Sequence, residues 1–127
     1  MFWALGAGAL YLLMKRHAAP SAASLSPGGV KEAVDGDKAL QLIDVRTPGE
    51  FRESRLAGAK NIPLDQLDQR MGEISKDRAV IVYCRSGMRS ALALKGLRAR
   101  GHASAKHLQG GISAWTAAGL PCEREPG

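Results

Sequence analysis

Cysteine is scarce in this chain, and so are aromatic side chains and metal-ligand spacings. Among 127 residues there are two cysteines, Cys84 and Cys122. That is too few for a secreted scaffold stapled by disulfides, and neither belongs to the Cys-x-x-Cys or Cys/His pairs that mark a zinc site. A single Cys84–Cys122 bridge stays open, although a domain of this size does not need one. His17, His102 and His107 do not stand at ligand spacing either, so no metal is expected. Aromatic residues make up 5% of the chain and are scattered, which leaves no stacking platform for single-stranded nucleic acid. Nucleic acid is therefore not expected as a partner.

Long hydrophobic runs are also missing. The apolar stretch Phe2 to Met14, FWALGAGALYLLM, reaches only about 20 Å as a helix at ~1.5 Å per residue, against a hydrocarbon core of about 30 Å. Lys15, Arg16 and His17 follow it, and no Lys or Arg precedes it. That order speaks against a cleaved signal peptide and for an uncleaved anchor with the following domain on the cytoplasmic side. Snorkelling of Lys15 and local bilayer thinning cover part of the shortfall. The expectation is membrane association through Phe2 to Met14, with a soluble cytoplasmic chain or an exported one as the alternatives. A linker-like stretch, AAPSAASLSPGG, comes next.

Acidic residues are absent from one long segment. Between Arg85 and Cys122 the chain carries Arg85, Arg89, Lys95, Arg98, Arg100 and Lys106 and no Asp or Glu, within a net charge of +6. Such a segment either faces an anionic ligand or is a solvated basic helix face.

What the sequence does contain is an alternation of strand-like and helix-like pieces, the pattern of an α/β domain with a largely parallel sheet. Ser26 and Pro27 open a helix that runs through Val34. Leu40 to Val45 reads as a buried strand, and Thr47 caps a short helix that starts at Pro48 and contains Glu50. A further extended piece covers Lys60 to Pro63. Asp65 to Ile74 places Leu67, Met71 and Ile74 at helical spacing. Ala79 to Tyr83 is an unbroken apolar run suited to the centre of a parallel sheet. Ser90 to Arg100 forms a helix offering Leu92, Leu94 and Leu97 to the core and closed by Gly101. Lys106 to Leu108 supplies a last strand, and Gly110-Gly111 leads into a final helix with Ile112 and Trp115 in the core. The expected organisation is an N-terminal segment over 1–24, one domain over 25–121 and a tail over 122–127.

The chemistry concentrates in VYCRSGMRSALAL, where a strand delivers Cys84 to its carboxyl end and a short loop leads into a helix. Ligands bind outside the carboxyl ends of strands in open α/β sheets, and a helix start presents unpaired N–H groups and partial positive charge. A sulfur placed there, with Arg85 and Arg89 beside it, is expected to have a lowered pKa and to act as a nucleophile. Gly87 suits a loop position with positive φ, so that successive N–H groups converge on one point. The bland alternative is a small apolar residue at the end of a buried strand, but such a cysteine has no use for two flanking arginines and a glycine turn.

Four stretches in order, LIDVRTPGEF (42–51), LAGAKNIPL (56–64), IVYCRSGMRSALAL (81–94) and LQGGISAWTAAGLP (108–121), resemble the single-domain rhodaneses, the thiosulfate-type sulfurtransferases. The resemblance implies a rhodanese-like α/β fold, with a five-stranded, mainly parallel sheet flanked by helices on both faces. It implies a catalytic Cys84 that takes a sulfane sulfur from a small anionic donor such as thiosulfate, holds it as a persulfide and passes it to cyanide or a thiol, with no cofactor. Arg85, Ser86, Gly87, Met88, Arg89 and Ser90 are then expected to form the binding loop. Asp44 and Arg46 are read either as support reaching the loop from below or as structural residues. A monomer is expected, and a protein sulfur acceptor is a further candidate partner. The family's usual Gly-His-Ile is Ser54-Arg55-Leu56 here, which leaves that histidine's role unfilled. Cys122 is either a relay thiol or a bystander.

Two rival functions remain. A catalytically idle binding module of the same fold needs no nucleophile, yet Cys84 is retained. A Cys-dependent phosphatase or arsenate reductase needs five residues between cysteine and arginine, whereas Arg89 arrives one residue early.

Overall fold

Two stretches read from the sequence as buried strands become adjacent inner strands of one parallel sheet. In the computed structural model, which describes residues 23–125, the chain runs β1 (Ser24–Leu25), α1 (Pro27–Gly36), β2 (Gln41–Asp44), α2 (Pro48–Glu53), β3 (Lys60–Asn61), two 3-10 turns (Leu64–Gln66 and Met71–Glu73), β4 (Val80–Tyr83), α3 (Met88–Ala99), β5 (Lys106–Leu108) and α4 (Gly111–Ala117). The strands lie in the order β1-β5-β4-β2-β3, and every neighbouring pair is parallel.

β2 and β4 are buried along their whole length, and their side chains alternate between the two faces. Ile43, Val80, Val82 and Cys84 join Leu67, Met71, Ile74, Leu94 and Leu97 on one side. Leu42, Ile81 and Tyr83 join Val30, Leu56, Ile112 and Trp115 on the other. Both faces are therefore covered, α3 and the 3-10 turns lying on one and α1 and α4 on the other. A strand covered on both faces has no polar alternation, which is why β4 reads as a continuous apolar run, while β2 buries Gln41 and Asp44 at its ends along with Leu42 and Ile43.

Local signals set the helix ends. Ser26 Oγ accepts the Gly29 N–H at 3.1 Å at the start of α1, and Thr47 and Glu50 form a reciprocal capping box on α2. α3 closes in a Schellman motif, with Gly101 at φ +102°, its N–H donating to Arg98 at 3.3 Å and the His102 N–H to Leu97 at 2.9 Å.

Several expectations change. Asp65 to Ile74 is not one helix but a pair of 3-10 turns, introduced by Pro63 and with Gly72 inside the second. Leu67, Met71 and Ile74 are buried all the same, because successive tight turns also return the chain to the sheet. Leu92 is not in the core and is 61% exposed. α3 turns Ser90, Ala93, Leu94 and Leu97 inward, and a residue two places from Leu94 stands on the opposite side of a helix. The sheet is wholly parallel, and β1 extends the domain to residues assigned to the linker. Cys84 and Cys122 are both free thiols. Phe2 to Met14 lies outside the described residues; among the described residues no helix is long and apolar enough to cross a membrane.

Candidate active site

β4 delivers Cys84 to the carboxyl edge of the sheet, and Gly87, at φ +110°, turns the chain back into α3. A side chain in that left-handed conformation costs about 1–2 kcal/mol. The turn aims backbone donors at the sulfur: Cys84 Sγ accepts the Gly87 N–H at 3.1 Å and the Ser90 N–H at 3.3 Å. Ser90 lies in the first turn of α3, so the sulfur caps a group that a helix start otherwise leaves unpaired. The Ser90 hydroxyl stands 3.5 Å from the same sulfur.

Burial pushes the Cys84 thiol up, but the Ser90 hydroxyl and the N–H groups of Ser90, Gly87 and Ser86 outweigh it. The thiol ends below its ordinary value. The direction agrees with the sequence reading, and so does the part played by the N–H groups, to which the structure adds the Ser90 hydroxyl. The Arg89 guanidinium is committed to Glu50 of α2, with its two nitrogens at 2.7 and 3.0 Å from the carboxylate. Arg85 Nε meets the same carboxylate at 3.4 Å. Arg89, against the cost of partial burial, holds the Glu50 carboxyl far below the usual carboxylate range. The rim thus shows two guanidinium groups offset by one carboxylate.

The loop is also fastened from behind. At the start of α4, the Ile112 N–H donates to the Cys84 carbonyl at 2.9 Å and the Ser113 N–H to the Arg85 carbonyl at 3.0 Å. Only glycine permits this approach, because a Cβ on Gly111 would overlap the Arg85 carbonyl.

Cys84, Ser86, Gly87 and Ser90 thus gather at one sulfur. Met88 is 78% exposed, and its side chain lies outside this group. Asp44 and Arg46 do not reach the loop and are bound to each other. Arg46 Nε donates to Asp44 Oδ1 at 3.0 Å and Nη2 to Oδ2 at 2.7 Å, and Nη2 also meets the Ser54 carbonyl. Asn61 donates to the Asp44 and Arg46 carbonyls at 3.0 and 2.9 Å. The pair therefore ties the end of β2 to its neighbours, and Arg46 reaches the loop region only as one wall, with Arg85, of a cleft of about 140 Å³ that Cys84 does not line. Arg55, at the position where the resemblance implies a histidine, is structural. It lies over the Phe51 ring at 4.8 Å, bridges to Glu123 and pairs with Glu125 at 3.5 Å. Cys122 is half-buried and packs against the second core cluster, and burial pushes its thiol up. That is the opposite of what a relay thiol needs.

Two residues at the site escaped the sequence reading. Glu50 sits 39 residues from Arg89 and its capping-box role accounts for it locally. His107 lies in β5 opposite Val82 of β4, so it shares the sheet face of Val82 and Cys84, and its Nδ1 is 3.0 Å from Ser90 Oγ. Only the strand order reveals this.

A thiol with converging N–H donors can carry negative charge on sulfur, before and after a second sulfur is attached. Comparison with known proteins gives the family. Residues 26–118 match the family described as rhodanese-like domain. The chain is 44% identical over 80 residues to a sulfurtransferase of Allochromatium vinosum, covering 63% of this chain and 75% of that protein. It is 45% identical over 80 residues to the uncharacterized protein YqhL of Bacillus subtilis, covering 63% of this chain and 64% of that protein, just under two thirds of its length. Among solved structures, a rhodanese-related protein from Thermoplasma volcanium superposes with a TM-score of 0.73 at 30% identity, covering 79% of this chain and 96% of that one. A match across most of the domain, on a fold whose sheet edge holds Cys84 as described, makes the chain a member of the rhodanese-like family.

Proposed function

We propose that the chain moves a sulfane sulfur from a donor such as thiosulfate to a thiophilic acceptor through a persulfide on Cys84. The Cys84 thiolate attacks the outer sulfur of the donor; a Cys84 S–S bond forms as the donor's S–S bond breaks, and sulfite leaves with the electron pair. The acceptor, cyanide or a thiol, small or presented by a protein, then attacks the terminal sulfur and Cys84 departs as thiolate. No external oxidant, metal or cofactor enters the balance. The carrying observation is the pair of N–H groups at 3.1 and 3.3 Å from Sγ, which stabilise the charged sulfur in its free and loaded forms.

Burial gives a second reason. Cys84 is 1% exposed, so a donor reaches it with a slim terminal atom and not with a tetrahedral group. A phosphatase would need a free arginine to hold its phosphate, and Arg89 is engaged by Glu50. The test is intact-protein mass spectrometry before and after thiosulfate, with Cys84→Ala as control. A gain of about 32 Da, removed by cyanide and absent from the control, is the expected result for a persulfide carrier. No gain, with Cys84 open to alkylation, would mean an idle binding module.

A further inference from the structure

Ser90 is fully buried, and its hydroxyl has more neighbours than protons. Its Oγ lies 3.2 Å from the Gly87 carbonyl, 3.5 Å from Cys84 Sγ and 3.0 Å from His107 Nδ1. A hydroxyl donates once and accepts otherwise, so whatever it does toward one neighbour constrains the other two.

We infer that His107 is a positioning residue for Cys84, setting through Ser90 whether the sulfur receives a hydrogen bond or gives one. With a hydrogen on Nδ1, His107 donates to Ser90 Oγ, and the hydroxyl proton is free to turn from the Gly87 carbonyl, to which it otherwise donates, to Cys84 Sγ, favouring the thiolate. With Nδ1 bare, the hydroxyl donates to the ring, and the sulfur keeps its proton and donates to Oγ. Ionisation along this path balances without any change of oxidation state. The Cys84 S–H bond breaks and its proton passes to Ser90 Oγ as the Ser90 proton passes to Nδ1. The thiolate and an imidazolium result, and the half-buried ring then releases its Nε2 proton to water.

The surroundings suit a ring that works by tautomer. Burial and Arg98 of α3 hold His107 below the ordinary imidazole value, so it is neutral at pH 7. Cys84 lies just past β4, the titratable Tyr83 of β4 faces the other side of the sheet, and β1 and α4 contribute no titratable side chain. A neutral ring places its one hydrogen on Nδ1 or Nε2, and a thiolate beyond Ser90 favours Nδ1.

This role in turnover rests on the persulfide reading, but its test needs no sulfur donor. The pH dependence of Cys84 alkylation by iodoacetamide, followed by peptide mass spectrometry so that Cys122 does not interfere, is compared in the full chain, in His107→Phe and in His107→Asn. Below the thiol midpoint, His107→Phe is expected to slow alkylation about tenfold, equivalent to one pKa unit. His107→Asn, whose amide N–H occupies the place of Nδ1–H and does not titrate, is expected to recover most of that loss. An unchanged midpoint in His107→Phe, or an Asn variant as slow as Phe while still folded, overturns the inference. A second measurement leaves His107 in place: ¹⁵N NMR of its ring should move toward the Nε2–H tautomer in Cys84→Ala, and unchanged shifts overturn the inference equally. Coupled titration without any mass gain from thiosulfate would instead sink the sulfur-transfer reading and leave the coupling standing.

Discussion

At Cys84 the Ser90 hydroxyl and the loop N–H groups favour the thiolate, while Arg85 and Arg89 are paired with Glu50. Glu50 therefore controls how much positive charge a donor meets. Replacing it by Gln keeps a side chain able to serve the capping box and removes the carboxylate from Arg85 and Arg89. One charge at about 8 Å from a dianion in water is worth about 1 kcal/mol, so Glu50→Gln is expected to lower the thiosulfate KM roughly fivefold at low salt. The gain should fade near physiological salt, where the screening length is about 8 Å. Steady-state kinetics at two ionic strengths check this, and a KM that stays put at low salt would show that neither arginine meets the donor. A different residue weakens the fold as pH falls below neutral. His102 is buried with both ring nitrogens lacking a hydrogen-bond partner among the described residues. Burial first, then Lys76, hold it below the ordinary imidazole value. Because its folded value is depressed, the unfolded chain binds the extra proton more readily; stability is full above about pH 6.5 and is lost as pH falls through the folded value. His107 adds the same trend. Urea unfolding of His102→Leu should show a shallower loss below pH 6.5 than the parent chain, and an identical slope would mean that His102 is not the group responsible.

Among the elements, Gly111 shows how one residue supports the site from a distance. Alanine there would be strained at φ +62°, at a cost of order 1–3 kcal/mol, and its Cβ would overlap the Arg85 carbonyl. Gly111→Ala should thus lose at least about 2 kcal/mol of unfolding free energy and, by shifting the loop, slow Cys84 alkylation; denaturant unfolding and alkylation rates on the same sample test both parts. Elements of this kind differ in how plainly the sequence announces them. β4 was legible because a strand buried on both faces leaves an unbroken apolar run, β2 because Leu40, Leu42, Ile43 and Val45 are apolar around Gln41 and Asp44, and α1, α2 and the end of α3 because Ser26, Thr47 and Gly101 carry their caps in their own side chains or conformations. The 3-10 turns before β4 were not, since Leu67, Met71 and Ile74 satisfy helical spacing whether or not the hydrogen bonds between them are helical. β1 left no mark because two residues make no period. The same contrast runs through the site. Cys84, Gly87 and Ser90 lie within one loop and one helical turn, so local reasoning reached them. Glu50 and His107 arrive from other strands and helices, so their part depends on sheet order, and Asp44 and Arg46, adjacent to a strand end, are absorbed by each other.

The whole molecule is asymmetric in charge and in surface. The positive segment from Arg85 to Cys122 includes α3, whose inner side packs on the sheet through Ala93, Leu94 and Leu97 while Met88 and Leu92 stand 78% and 61% exposed on its outer side. A helix apolar on both sides is ordinarily buried on both, and here the uncovered side begins beside the Cys84 loop. It lies between Lys95 and Arg85, the latter paired with Glu50, and is the side on which the protein acceptor proposed above would dock if it brings carboxylates around its thiol. Leu92 lies outside the sulfur's contacts, so it separates docking from chemistry. Leu92→Gln should leave unfolding free energy within about 0.5 kcal/mol of the parent, as surface substitutions do, and leave sulfur transfer from thiosulfate to cyanide unchanged. Transfer to an acidic protein dithiol should slow severalfold, in a manner that disappears at high salt as the charge attraction is screened. Equal rates with both acceptors in the variant and the parent would mean that the outer side of α3 takes no part in delivery, and that any acceptor is served at the sulfur alone.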